Sequence, residues 1–257
     1  MNIIFWNTKQ NENINEYLIN LIIEKECDII VLAEYCANAE ELKNRLYIRG
    51  YKYKQAHTIA CEKIHFFYRD NIFIELDNES SHYASFKVSR NNINFELFAV
   101  HFPSKLYTSE NNRQIVARSL KELLDMYDDA LAIGDFNSNP FEKAMVGASC
   151  LSALPIKNIT NRKIQGIGFK NMYNPMWNFF GDFDGLPGTY YYNNGDDINY
   201  YWNMLDQVIL SIKLSKRLEK ETMEIIEKIN DINLIVNNKI QTDISDHLPI
   251  YFSLRED

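Results

Sequence analysis

Short, strongly apolar runs recur along the chain, and several end on a single polar residue. Asn2-Ile-Ile-Phe-Trp6 closes on Asn7, Asp28-Ile-Ile-Val-Leu-Ala33 on Glu34, Phe95-Glu-Leu-Phe-Ala-Val100 on His101, and Ala130-Leu-Ala-Ile-Gly134 on Asp135. Apolar runs without alternation mark strands covered on both faces. Further strand-like runs span Lys63–Arg69, Ile72–Leu76, Tyr83–Val88 and Leu248–Leu254. Between them, Ile14, Leu18, Leu21, Ile22 and Lys25 fall at helical spacing, and helices are expected over Ala39–Ile48 and Glu110–Asp128. Asn139-Pro140-Phe141-Glu142 reads as a helix start, with an Asn cap and Pro in the first turn. A helix-rich piece is expected over Ser215–Ile229, ahead of the last strand. The pattern alone gives an α/β fold.

Composition narrows the picture. A chain of 257 residues, 46% hydrophobic and without a Gly/Ser- or Pro-rich linker, suits one domain over residues 1–257. A net charge of -8 argues against a protein that grips long duplex DNA through many phosphates, because such grip comes from Lys- and Arg-driven counterion release. Cys27, Cys36, Cys61 and Cys150 show no CxxC spacing, so reduced thiols and a cytoplasmic setting are expected. The sequence opens directly into a strand, so no secretory signal is expected, and no apolar run approaches membrane-spanning length.

Side chains at strand ends are held rigidly while their tips reach a cleft. Glu34 at such an end costs several kcal/mol to bury unless it is paired or metal-bound; capping a helix or pairing with a surface Lys are the plainer alternatives. Gly134-Asp-Phe-Asn137 projects Asp135 and Asn137 from one turn, an arrangement an ordinary Asx turn also produces. Asp206 interrupts the apolar run Met204–Leu210, and Asp246-His247 opens the last one. A lone His is usually a core or surface residue, but Ser245, Asp246 and a candidate partner acid favour a functional His247. Phe169–Trp202 is rich in aromatic rings, which either stack unpaired bases or cover the edge of the fold.

Trp6-Asn7, Leu32-Ala-Glu34, Val100-His101, Gly134-Asp-Phe-Asn137, Leu205-Asp206 and Ser245-Asp-His247, taken in order, resemble the motifs of the endonuclease/exonuclease/phosphatase superfamily, which includes pancreatic-type deoxyribonucleases. The resemblance spans the chain from first strand to last. It implies a four-layer αββα sandwich, with two mainly antiparallel sheets packed face to face and helices outside. It also implies Mg²⁺, with Mn²⁺ as an alternative and one metal favoured, held by Glu34, Asn7 and Asp246. Catalytic roles fall to His247, Asp206, His101, Asp135, Asn137 and Glu62, with Glu62 supporting His101 as Asp206 supports His247. Thr189 and Arg113 are candidate substrate contacts.

Two departures bear on substrate. Lys9 stands where abasic-site endonucleases carry an acid, which argues against a second metal there. No arginine near His82–Ser85 corresponds to the DNA-contacting one of pancreatic-type enzymes. The expected activity is a phosphodiesterase on DNA or RNA, single-stranded or structured in preference to long duplex. The alternatives are a phosphatase, or a small-nucleotide or lipid phosphodiesterase, on the same frame. A non-catalytic binding module is the third reading, and it predicts the loss of central residues that are here all present.

Overall fold

The computed structural model describes residues 1–183, 185–193, 195 and 197–256. The first eight strands are β1 (Asn2–Asn7), β2 (Ile29–Ala33), β3 (Tyr53–Ala56), β4 (Ile64–Arg69), β5 (Phe73–Glu79), β6 (Tyr83–Arg90), β7 (Ile93–His101) and β8 (Ala130–Asp135). The helices are α1 (Asn15–Glu24), α2 (Ala39–Ile48) and α3 (Glu110–Leu124). A six-stranded sheet runs in the order Leu218–Ile225, Ile250–Leu254, β1, β2, β4, β3. A seven-stranded sheet runs β5, β6, β7, β8, Asp206–Ser211, Met172–Tyr173, Ala153–Leu154. Most pairings are antiparallel; β1 with β2, β7 with β8, and Met172–Tyr173 with Ala153–Leu154 are parallel.

Strand parity decides which side chains meet between the sheets, because successive residues point to opposite faces. Ile3, Phe5 and Asn7 lie on one face of β1, in register with Ile29, Val31 and Ala33 of β2. Leu131, Ile133 and Asp135 share a face of β8, in register with Leu97, Ala99 and His101 of β7. These faces meet in one core containing Phe5, Val31, Leu97 and Ile133, and Phe66 of β4 lies 4.3 Å from Phe86 of β6, ring centre to ring centre. Such an aromatic pair contributes about 0.5–1.5 kcal/mol beyond its buried area.

Helices close the outer faces. In α1, Leu18, Leu21 and Ile22 are buried, and Tyr35, packed edge-on against Phe67 of β4, donates its hydroxyl to Asn15 of α1 at 2.8 Å. On the far side Ala117, Leu120 and Leu124 of α3 pack with Phe98, Val100 and Ala132. The result is the expected α/β sandwich of two mainly antiparallel sheets with helices outside.

Three local expectations are corrected. Ser215–Ile229 is not helix-rich: a 3₁₀ turn at Leu214–Lys216 leads into the edge strand Leu218–Ile225, which pairs with Ile250–Leu254 across an irregularity between Glu219 and Glu224. Its Glu and Lys residues form the charged exposed side that keeps an edge strand from pairing further, while Leu218, Met223 and Ile225 are buried. Asn139–Glu142 forms a turn, and the following helix covers only Lys143–Val146. The third helix stops at Leu124, where the Asp125 N–H caps onto Lys121 O.

Glu96 of β7 is an acid buried away from the cleft, with Lys87 opposite it in register. Burial pushes its carboxyl up to about 7, with Ser85 opposing the shift and Asp77 adding to it. The folded chain therefore holds a proton there that the unfolded chain releases near its ordinary carboxylate range. The associated stability is complete below that range and is lost as pH rises through about 7. Denaturant titrations at several pH values should show stability falling between about pH 5 and pH 8, and Glu96→Gln should flatten that slope.

Candidate active site

His101, Asp135 and Asp206 are register partners on three neighbouring strands, His101 with Asp135 in parallel and Asp135 with Asp206 antiparallel. All three are buried, so two carboxylates sit directly opposite one another inside the protein. Like charges in that position are destabilising unless a cation or donor answers them. Asn7, at the inward end of β1, donates Nδ2 to Asp135 Oδ2 at 3.2 Å and so joins the two sheets at this point. Asp135 Oδ1 accepts the Asn137 N–H at 2.8 Å, while Asn137 Nδ2 donates to Phe102 O at 3.0 Å. Asn137 takes a left-handed backbone, φ 46°, which Asn tolerates better than most residues. Gly134 precedes Asp135 because β7 passes too close for any side chain: a Cβ there would lie 1.9 Å from Val100 O.

His247 answers Asp206. Its Nδ1 lies 2.8 Å from Asp206 Oδ2 and 3.1 Å from Oδ1, and its Nε2 is 4.0 Å from Asp135 Oδ2. Burial disfavours a charged imidazole, but Asp206, Asp135 and Asp246 together outweigh it and hold the pKa of His247 well above its ordinary range. Burial pushes Asp206 up, while the charge of His247 and its hydrogen bond oppose that shift. The ring is fixed from several sides. Ser245 Oγ donates to Asn7 O at 2.7 Å and accepts the His247 N–H at 3.1 Å, and Trp6 Nε1 donates to His247 O at 2.9 Å. The Tyr190 ring lies 4.7 Å from the imidazole.

Glu34 leaves β2 with a left-handed φ of 52°, a costly conformation for a non-glycine residue that clusters at functional sites. Its Oε1 meets His101 Nε2 at 3.2 Å and Lys63 Nζ at 3.6 Å. The His101 hydrogen bond is the main reason its carboxyl stays down at about 2, against the opposing effect of burial. The turn after β1 ties this region together: Thr8 Oγ1 bonds to Ala33 O and Glu34 O, and Asn11 Nδ2 donates to Ile244 O at 2.9 Å, just before Ser245.

A cavity of about 410 Å³ collects Asn7, Glu34, His101, Asp135, Asn137, Asp246 and His247. Asp206 stands behind His247. The sequence-derived set therefore converges, with three exceptions. Glu62 is exposed on the turn before β4, and the carboxylate beside His101 is Glu34 instead. Thr189 is buried away from the cavity, where its Oγ1 accepts the Asp206 N–H at 3.1 Å; it positions Asp206. Arg113 is buried in α3 near Thr108 O and Glu142, also off the cavity. Lys105 reaches the cavity wall on a loop that no periodicity marks, and Tyr190, Tyr192 and Tyr200 bring the aromatic segment to the same wall.

The donor set suits a hard divalent cation. Glu34 offers Oε2 beyond its contacts at Oε1, Asp246 is half-buried at the cavity wall, and the Asn7 amide adds an oxygen. Asp135, Asp206 and His247 also present ligand atoms within 4.8 Å of one another, with Asp206 engaged by His247 Nδ1.

A two-sheet sandwich whose strand ends gather acids, an amide and two imidazoles in one cleft defines a class of phosphoric ester hydrolases. The sequence profile described as Endonuclease/Exonuclease/phosphatase family matches residues 5–247, and the chain belongs to that family. It is thus a metal-dependent phosphoric ester hydrolase. No curated protein sequence matches the chain. Among solved structures, a humanized D. rerio TDP2 superposes with TM-score 0.62 at 16% identity, covering 98% of this chain and 97% of that one. The human Nocturnin catalytic domain with bound sulfate gives 0.57 at 14%, covering 99% and 94%. The 3' phosphatase NExo from Neisseria, bound to product DNA hairpin, gives 0.57 at 12%, covering 99% of each chain. At these identities the likeness concerns the fold.

If Asp206 holds the proton on His247, Asp206→Asn should bring the imidazole pKa back down toward its ordinary range. A ¹⁵N-detected pH titration of the metal-free protein checks this; an unchanged midpoint would assign the charge to another partner.

Proposed function

We propose that this protein is a Mg²⁺-dependent phosphodiesterase, with Mn²⁺ able to substitute, that hydrolyses DNA or RNA as one catalytic unit over residues 1–257. The observation that carries the reading is the convergence of Glu34, His101, Asp135 and the Asp206–His247 pair on one cavity. Glu34, Asp246 and Asn7 would hold the cation, which offsets negative charge on the phosphate when bound. His247, oriented by Asp206 and Thr189, and Asp135 beside it align the attacking water. Asn137 positions a phosphate oxygen from its braced turn, and His101 stands by the leaving oxygen.

Nucleic acid is favoured as substrate by the cavity's aromatic side. Tyr190 and Tyr192 stack with ring centres 6.2 Å apart and planes 20° from parallel, and the half-exposed Tyr200 joins them on the wall. Such rings suit unpaired bases, each stack contributing about 1–3 kcal/mol. Positions 184, 194 and 196 of the aromatic segment lie outside the described residues. Related folds act in the same direction: a D. rerio TDP2 was solved with single-strand DNA product and NExo with a product DNA hairpin. The net charge of -8 favours short or single-stranded substrates over long duplex. Among the described residues no helix is long and apolar enough to cross a membrane. The four cysteines are unpaired, which suits a cytoplasmic setting.

The same negative charge gives weight to a second reading, a phosphatase or small-nucleotide phosphodiesterase. Labelled single-stranded DNA, RNA and a small phosphomonoester, incubated with Mg²⁺, Mn²⁺ or EDTA, separate the two. Metal-dependent cleavage of a polymer is expected; phosphate release from the small ester alone would overturn the nuclease assignment. In the same assay, His247→Ala and Glu34→Ala should each lower kcat/KM by about 10²–10⁴, while circular dichroism shows the fold retained.

A further inference from the structure

Every anionic substrate entering this cavity meets carboxylates from Glu34, Asp135 and Asp246, with Asp206 behind them. Of the lysines nearby, Lys63 is drawn to Glu34 and Lys105 is paired with Glu142. Lys9 differs. It lines the cavity, yet among the described residues it makes no ion pair with any of those acids. Its Nζ donates to Thr242 O at 3.0 Å, which occupies one of the three ammonium donors.

The root of this side chain is clamped. Lys9 and Gln10 both adopt left-handed backbones, φ 50° and 52°. The Lys9 N–H donates to Asn7 Oδ1 at 3.1 Å, and the Gln10 N–H donates to Glu34 O at 2.9 Å. Asn7 and Glu34, two candidate metal ligands from different strands, therefore also fix where Lys9 emerges. Asn7, His101 and Asp135 are buried, whereas Lys9 is exposed, so its ammonium stands at the mouth of the cavity and not at the reacting centre.

We propose that Lys9 is a specificity-determining residue that binds a non-bridging oxygen of a phosphate flanking the scissile one, selecting chains of phosphodiesters over isolated esters. This rests on the nucleic-acid reading above. A charge-assisted hydrogen bond of this kind corresponds to about a 10- to 100-fold effect on affinity. The spare donors and the missing carboxylate partner are what separate Lys9 from an ordinary surface lysine.

The test pairs the residue with the phosphate. Fluorescein-labelled pentathymidylate, and versions carrying one neutral methylphosphonate at each linkage in turn, are bound to wild type, Lys9→Met and Lys9→Arg in EDTA, followed by anisotropy. Lys9→Met should weaken the all-phosphate strand about 10- to 100-fold, and Lys9→Arg should recover most of that loss. One methylphosphonate position should weaken wild type by a similar factor and make Lys9→Met no worse. The log–log salt slope should drop by about 0.7 in Lys9→Met. Equal losses on every strand would show that Lys9 serves only to hold Thr242, and no loss would remove it from recognition; either overturns the proposal. Mg²⁺-dependent cleavage of the same strand is scored alongside. Cleavage without Lys9 coupling keeps the nuclease and discards Lys9, and coupling without cleavage does the reverse.

Discussion

Two carboxylates, Asp135 and Asp206, face each other across adjacent strands in the interior, and the surrounding structure is arranged to tolerate them. His247 supplies the charge, Asn7 a hydrogen bond from the opposite sheet, and the Asn137 backbone a third donor. Each comes from a different part of the chain. Removing one donor leaves a buried charge exposed to its like neighbour, which is why a site of this kind assembles as a unit.

Much of this was legible in the sequence because strand parity is a strict rule. Asn7, His101 and Asp135 each end an apolar run at a position facing inward, so finding the runs was nearly enough to find the residues. Gly134 carried a second signal, since β7 leaves no room for a side chain beside it. Glu34 was found for the same reason as the others, but its true partner was not. It leaves its strand through a left-handed turn, and that geometry brings it to His101 in place of Glu62.

The failures have separate causes. Residues 218–225 carry a charge density that mimics a solvated helix, and only the pairing with Ile250–Leu254 shows an edge strand. Thr189, a candidate substrate contact, turned out to brace Asp206 from behind, because a polar residue near a strand end can face either the cleft or the backbone of its neighbour. Lys105 reaches the cavity on a loop, where neither period 2 nor period 3.6 applies.

The contact between Asn7 and Asp135 straddles the seam between the two sheets, and Phe66 against Phe86 is part of the filling that sets how far apart those sheets stand. Spacing within the reactive cluster is thus governed by hydrocarbon volume deep in the sandwich. Protein engineers who enlarge or shrink that filling to gain heat resistance would, without touching a polar residue, also be retuning the chemistry.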